Sequence, residues 1–202
     1  MLIDVANSGV VETYRTLVEI VTPRPIAWVT SVDSEGRVNL APFSFFNAFG
    51  ANPPVVVFSP TRRRDGSKKD TLLNVEATGE FVLNAAVESL AEQVNLSAKE
   101  LPPGTSEVEL TGLSLLPSVK VRVPRIAEAP VNVECVVRQI VPVGDGPLSG
   151  NLVIGEVVVI HVDDRVLGPT GHVDPHKLRT IARLGGDDYS RTTDIFSMKR
   201  PS

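Results

Sequence analysis

Residues 23–47 have the sequence PRPIAWVTSVDSEGRVNLAPFSFFN, and this stretch decides the fold. Its first part alternates, with Ile26, Trp28 and Thr30 on one face of a strand. Residues 33–36 have the polar and glycine composition of a turn. The stretch therefore predicts a strand hairpin bounded by two proline-rich turns.

The second half of this stretch does not alternate. Because Pro42 has no N–H to donate to a ladder, we expect the strand to end or bulge there. The backbone amides of residues 43–47 would then be free to meet a ligand. A simpler interpretation is an aromatic corner packed into the core, and for the three phenylalanine side chains it is the better one.

Composition limits the classes of protein that fit this chain. At 202 residues it is long enough to form one domain, 1–202, with a sizeable core. The net charge of -4 and a single basic run argue against nucleic-acid binding, which uses a broad positive field. No apolar run approaches the roughly 20 residues of a membrane span.

The single cysteine, Cys135, shares a strand face with Val131, Val133 and Val137, which indicates a core residue rather than a nucleophile. One unpaired cysteine also suits a reducing compartment. We therefore expect a cytoplasmic protein.

Strand-like runs rich in Val and Ile dominate the chain, at Ile26–Val32, Val55–Ser59, Glu80–Asn84, Lys120–Val123, Val131–Val141 and Leu152–Val162. Helical periodicity is limited to residues 87–94, a segment from about Asp70 to Gly79, and a short helix before Pro23. Residues 101–105 and 163–175 are typical of loops. The chain is therefore expected to be mainly β, an antiparallel barrel with peripheral helices.

The one concentrated basic run, residues 62–69, leads directly into the helix expected near Asp70, for which Ser67 or Asp70 is the candidate cap. A helix N-terminus offers unpaired amides and partial positive charge, so a phosphate could bind there. A solvated basic loop explains these residues equally well. The closeness of the run to residues 23–47 favours the anion site.

Other motifs are weaker. His172, Asp174 and His176 could converge on a metal ion, but a polar loop is the default interpretation because Pro175 opposes a helix there. No Gly-x-Ser-x-Gly elbow supports serine catalysis. Residues 144–150 predict a hairpin turn rather than a dinucleotide fingerprint. The glycine pair within residues 183–189 permits close approach of backbone, or it caps a short helix.

Taken in order, these motifs resemble the flavin reductase-like branch of the FMN-binding split-barrel proteins. The resemblance covers nearly the whole chain and rests on Arg24–Ile26, Trp28–Ser31, Asn39–Phe46, Lys69–Thr71, Gly79–Asn84, Gly155–Val157 and Arg183–Tyr189. It implies a six-stranded split β-barrel that forms a homodimer with noncovalent FMN near the subunit interface.

The resemblance also assigns cofactor contacts. It places Thr30 and Ser31 against the ring or ribityl chain, and Lys69, Asp70 and Thr71 at the ribityl and phosphate end. It implies that the polar edge of the isoalloxazine is bound by Asn39, Ser44 and Phe45. Arg183 and Tyr189 are expected to close the pocket, from this chain or its partner.

A micromolar flavin site requires about 8 kcal/mol, whereas a charge-assisted hydrogen bond contributes about 1.5 to 3 kcal/mol. Burying roughly 200 Å² of ring at about 25 cal/mol per Å² adds roughly 5 kcal/mol. An apolar wall is therefore needed, and Trp28, Phe45 and Phe46 are candidates for it.

Three functions follow from the resemblance and stay open. They are an NADH- or NADPH-dependent flavin reductase, an electron carrier with bound FMN, and a flavin-binding protein without turnover. A partner monooxygenase or redox protein is compatible with the first two. No catalytic acid or base stands out, since flavin itself accepts the hydride.

Overall fold

The computed structural model describes residues 1–102 and 105–201. Its α-helices are α1 (Val10–Ile20), α2 (Asp70–Thr78), α3 (Ala91–Leu96), α4 (Glu107–Thr111) and α5 (Pro175–Leu178). Its strands are β1 (Arg24–Pro25), β2 (Ala27–Val32), β3 (Val38–Phe43), β4 (Phe46–Ala51), β5 (Pro54–Phe58), β6 (Glu80–Ala85), β7 (Leu115–Leu116), β8 (Arg125–Ile126), β9 (Val131–Pro142), β10 (Asn151–Val162), β11 (Ile181–Arg183) and β12 (Tyr189–Arg191). Pro103 and Gly104, within the expected loop 101–105, lie outside the described residues.

The main sheet contains seven antiparallel strands in the order β3-β2-β6-β9-β10-β5-β4. Its two edge strands, β3 and β4, are joined in the chain by Ser44 and Phe45 alone. The three steps from Phe43 to Phe46 span at most about 11 Å. The sheet must therefore curl until its edges meet, which makes a barrel that is split between β3 and β4.

The expected fold class is confirmed, but the expected count of six strands is one short. Residues 38–43 form the second strand of the expected hairpin, whereas residues 46–51 form a strand that the pattern did not predict. The predicted strand Lys120–Val123 is wrong, because the amides of Lys120 and Val121 donate instead to the Glu134 carboxylate, at 2.7 and 3.2 Å.

Pro42 neither ends nor bulges its strand. It lies within β3 opposite Trp28, and β3 is an edge strand, where a missing N–H costs no ladder bond. Phe46 and Asn47 pair with Phe58 and Val57 of β5, so the expected run of free amides over residues 43–47 is also wrong.

The barrel interior is filled by one cluster drawn from most of its strands. The ring of Phe58 lies 5.4 Å from that of Phe43 and 5.1 Å from that of Phe81, measured between centroids. Helix α2 contributes Leu72 and Val75, which are 0% and 1% exposed. A second cluster lies on the other face of β2, where Trp28 packs among residues of α3 and α4.

The predicted helices are present. Helix α2 ends at Gly79, whose φ of 70° is left-handed as expected, but it begins with Lys69 at the N-cap rather than Ser67 or Asp70. The 87–94 periodicity corresponds to a short 3-10 turn followed by α3. The helix before Pro23 is α1, in which Val18 alone is buried.

None of the helices within the described residues has the length and apolar run needed to span a lipid bilayer.

We expect Gly155→Ala to destabilise the fold. A Cβ at this position of β10 would come within 2.4 Å of Cζ and 2.7 Å of Cε1 of Phe81 in the barrel interior. Overpacking of this kind costs about 1 to 3 kcal/mol in free energy of unfolding, which chemical denaturation measures. Gly146→Ala, in the β9–β10 turn with no atom within 4 Å, is the matched control. Equal stability of the two variants would refute this account of Gly155.

Candidate functional site

The start of α2 borders a cleft of about 90 Å³, called here the α2 cleft. It brings together four of the predicted site residues, Asn39, Lys69, Asp70 and Thr71. The rest of its wall is formed by Ala41, Pro42, Arg63, Ser97–Leu101 and Glu107. A larger hollow of about 320 Å³ adjoins it, sharing Asn39 and Asp70.

Asn39 and Thr71 are joined across the cleft. Asn39 Nδ2 donates to Thr71 Oγ1 at 2.8 Å, which fixes the amide group on the edge strand β3 relative to α2. Thr71 is only 1% exposed, whereas Asn39 is half-buried. A ligand contact in the cleft therefore falls on Asn39, and Thr71 holds Asn39 in place.

Lys69 is a half-buried cation of this cleft. Burial lowers the pKa of its ammonium group, and the charge of Glu100 offsets part of that effect. Its Nζ lies 5.8 Å from the ring centroid of Phe43, and no salt bridge joins it to any residue that the structure describes. A desolvated cation of this kind favours an anionic ligand, which would supply the missing charge.

Two other charges of the basic run are paired locally. Arg63 forms a salt bridge of 3.0 Å with Asp70 and also donates to the carbonyl of Lys68. Lys68 pairs with Glu76 at 2.7 Å. Arg63 lines the cleft although it was not among the predicted contacts; the signal for it was the basic run itself.

Glu107 is a cleft residue for which the sequence carried no signal, since it lies on the short helix α4. It is 7% exposed, and its Oε2 accepts the N–H of Leu40 at 3.0 Å. Burial raises the pKa of this carboxyl, and the charge of Asp70 adds to the rise. Glu107 thus satisfies an outward amide of the edge strand β3.

Ser44 and Phe45 form the corner between β3 and β4. Ser44 Oγ accepts a hydrogen bond of 3.3 Å from Nε of Arg24, and the Phe45 ring meets Tyr14 of α1 edge to face, with 6.2 Å between centroids. Phe46, the next residue, lines an apolar hollow of about 350 Å³ whose wall includes no charged side chain. This apolar hollow also borders Pro25, Ile26, Leu83, Val133 and Ile181.

Arg183 and Tyr189 are not in the α2 cleft of their own chain. They belong to the hairpin β11–β12, where the guanidinium of Arg183 lies 4.5 Å from the Tyr189 ring centroid. The glycine pair therefore forms a hairpin turn and not a helix cap. Gly185 does allow close approach, because a Cβ there would come 2.6 Å from Cγ of Glu19 in α1.

Trp28, Thr30 and Ser31 are each 0% exposed, so direct contact with a cofactor is not available to them in this conformation. Trp28 Nε1 donates to Ser97 Oγ at 2.9 Å, and Asn74 Nδ2 donates to Ser31 Oγ at 3.0 Å. Thr30 Oγ1 accepts from Asn84 Nδ2 at 3.3 Å. The alternation of β2 places Trp28 and Thr30 on one face and Ser31 on the other, but both faces of this strand are covered.

Within the described part of the chain, no three His, Cys, Asp or Glu side chains are close enough to hold a metal ion. The Asp174 carboxylate instead accepts the N–H of His176 at 2.9 Å and caps α5. Cys135 is fully buried in the barrel interior, and burial raises the pKa of its thiol, so the prediction of an unreactive core cysteine is confirmed.

Comparison with known proteins gives consistent matches over most of the chain. An uncharacterised protein of Halalkalibacterium halodurans is 42% identical over 193 residues, which cover 95% of this chain and 92% of the relative. The crystal structure of nitrilotriacetate monooxygenase component B from Bacillus cereus superposes with a TM-score of 0.92 at 36% identity, covering 98% of both chains. Flavoredoxin of Desulfovibrio vulgaris shares the fold, with a TM-score of 0.77 at 16% identity over 98% of this chain and 97% of that one.

The fold thus has a close structural counterpart over nearly the whole chain. Residues 21–181 match the flavin reductase like domain, so this chain belongs to that family.

Proposed function

We propose that this protein is an FMN-binding oxidoreductase that transfers hydride from NADH or NADPH to flavin. The observation that carries the proposal is the α2 cleft, where the desolvated Lys69 lies beside the first turn of a nine-residue helix. A phosphate bound there would gain from both the ammonium group and the helix amides.

The phosphate end fits the donor set of the cleft. Lys69 supplies a cation, Asn39 supplies a fixed amide group, and no side chain caps the N-terminus of α2. A neutral riboflavin would leave the ammonium group of Lys69 without an anion. The cleft therefore favours FMN over flavins that lack a terminal phosphate.

The ring end must lie elsewhere, because about 90 Å³ is too small for an isoalloxazine. Strand β3 leads from Asn39 to Ser44 over about 17 Å, and the apolar hollow at Phe46 adjoins that corner. We place the flavin along this line, with its phosphate at Lys69 and its ring at the Ser44 and Phe45 corner. Of the three candidates for the apolar wall, Trp28, Phe45 and Phe46, we assign the role to Phe46, which lines that hollow.

A homodimer forms part of the proposal. Helix α1 exposes a stripe of apolar side chains along one face, with Val10 64%, Tyr14 46% and Leu17 45% exposed, and Val18 is buried at the edge of this stripe, one turn after Tyr14. Such a face is typical of a protein interface. A partner chain would cover it and could bring its own Arg183 and Tyr189 to the flavin.

Bound FMN would supply the hydride-accepting chemistry, and the residues of this chain bind and orient it. The likeness to a monooxygenase component B supports delivery of reduced flavin to a partner oxygenase. We also propose a cytoplasmic location, because the single cysteine is unpaired and suits a reducing compartment. An electron carrier similar to flavoredoxin is the second candidate, because flavin reductases and flavoredoxin share this fold.

We expect Lys69→Ala to weaken FMN binding by about 10-fold to 100-fold, the loss of one charge-assisted hydrogen bond, and to change riboflavin binding little. Quenching of flavin fluorescence measures both affinities. Lys120→Ala, which removes an exposed lysine far along the sequence, is the control and should leave both unchanged. An equal loss of affinity for FMN and for riboflavin in Lys69→Ala would refute the placement of the phosphate at Lys69.

Reduced nicotinamide should bleach FMN on this protein. The test is anaerobic mixing of the FMN-loaded protein with NADH or NADPH while the oxidised-flavin absorption band is followed. Loss of the band with either donor supports the reductase. If the band persists with both donors yet disappears with dithionite or a reduced ferredoxin-type protein, the carrier function replaces it.

Light scattering should give about twice the chain mass of 21.7 kDa at micromolar concentration. Leu17→Glu should shift the protein toward the monomer, because a charge would be desolvated in the interface formed by α1. Val119→Glu, at an equally apolar position that is 68% exposed but lies away from α1, is the matched control. A monomeric wild-type protein would rule out the dimer.

A further inference from the structure

Arg24 is the most buried cation next to the corner, at 5% exposed. Its guanidinium donates to four acceptors. Two are carbonyls at the end of α1, Val18 O and Val21 O, the latter at 2.7 Å. The third is Leu184 O at 2.9 Å, and the fourth is Ser44 Oγ at 3.3 Å.

All four of these acceptors are uncharged. Among the residues that the structure describes, Arg24 forms no salt bridge, although buried arginines are ordinarily paired with a carboxylate. A second cation faces it, since Arg24 of β1 lies directly opposite Arg183 of β11. Residues directly opposite in an antiparallel pair project to the same face, where like charges are destabilising. The corner therefore carries an excess of positive charge that an electron-rich group would offset.

Ser44 is the residue through which the charge of Arg24 can act on a ligand. It is half-buried, and its Oγ accepts the hydrogen bond from Arg24, so its own hydroxyl hydrogen must point elsewhere. Within residues 1–102 and 105–201 that hydroxyl donates to no protein group. A hydroxyl that accepts from a cation is a stronger donor, because hydrogen bonds in a chain polarise one another.

We propose that Arg24 is a positioning residue that orients and polarises the hydroxyl of Ser44, so that Ser44, which the proposed function places at the flavin ring, donates a hydrogen bond to the electron-rich edge of that ring. The inference rests on the proposed function. A hydride brings two electrons and one proton from the nicotinamide, so the ring gains one negative charge until a second proton arrives. The Arg24 and Ser44 pair stabilises that charge and makes the bound flavin easier to reduce.

A purely structural role for Arg24 predicts something different. Its bonds to Val18 and Val21 cap the carbonyl end of α1, which has no basic residue in its last turn. If capping were its whole purpose, substitution would lower stability and weaken oxidised and reduced flavin equally. The midpoint potential of the bound flavin separates the two roles, because it depends only on the ratio of those two affinities.

The experiment is an equilibrium redox titration of FMN bound to wild type, Ser44→Ala, Arg24→Gln, Arg24→Lys and the double variant Ser44→Ala/Arg24→Gln. Fluorescence quenching gives the affinity for oxidised FMN in each, and thermal unfolding gives the stability of the protein without flavin. Arg15→Gln is the matched control, since it removes a charge from α1 at an exposed side chain that pairs with Glu19.

We expect Ser44→Ala and Arg24→Gln each to weaken reduced flavin about 10-fold more than oxidised flavin. For this two-electron couple the change is equivalent to about 30 mV toward more negative potential. The double variant should show no further shift, because Arg24 acts through Ser44. Arg24→Lys should recover part of the potential, and Arg15→Gln should leave it unchanged.

An unchanged potential in Ser44→Ala with FMN still bound would overturn the inference while leaving the proposed function standing. Additive shifts in the double variant would also overturn it, since Arg24 would then act by its field alone. Should Arg24→Gln not fold, Ser44→Ala and Arg24→Lys decide the question. Failure of the wild-type protein to bind FMN at all would overturn the proposed function and this inference with it.

Discussion

The two-residue link between β3 and β4 is the constraint on which the rest of the structure depends. These strands are the opposite edges of a seven-stranded sheet, so a connection of Ser44 and Phe45 forces the sheet to close on itself. Closure creates an interior for the aromatic cluster of Phe43, Phe58 and Phe81. It also leaves a seam without a ladder, along which lie three of the predicted ligand contacts, Asn39, Ser44 and Phe45.

An open seam exposes backbone groups, and the chain satisfies many of them with side chains. Glu107 accepts the amide of Leu40, and Ser106 Oγ donates to Val38 O at 2.6 Å, so α4 covers part of the β3 edge. Pro42 removes one further donor from that edge. Such coverage discourages pairing with a foreign strand while leaving the side chains of β3 available for binding.

Local pattern predicted the parts of the fold that depend on local physics. Alternation identified β2, β9 and β10 within a residue or two, and Gly79 marked the end of α2 because its left-handed conformation suits glycine. Pattern failed for residues 120–123, whose Val-rich sequence resembles a strand. Their amides are taken by Glu134, a carboxylate 13 or 14 positions away that no local rule would identify.

In the candidate site, too, features set by local sequence were predictable and features set by distant contacts were not. The sequence proposes an anion site at Lys69 because a basic run leads into a helix, and the fold brings Asn39 to the same cleft. Trp28, Thr30 and Ser31 are buried, which the pattern did not show, because alternation does not reveal whether one or both faces of a strand are covered. Glu107 was missed since its partner is a backbone amide distant in sequence.

Arg24 links two parts of the structure, because its guanidinium donates hydrogen bonds both to a carbonyl at the end of α1 and to the hydroxyl of Ser44. Any displacement of α1 must redistribute the same five N–H donors. A partner chain that contacts α1 and a ligand that forms a hydrogen bond with Ser44 are then coupled, because both depend on the hydrogen bonds of Arg24. Thermodynamic linkage requires such coupling to be reciprocal, so assembly of the protein and the redox state of its ligand would each report on the other.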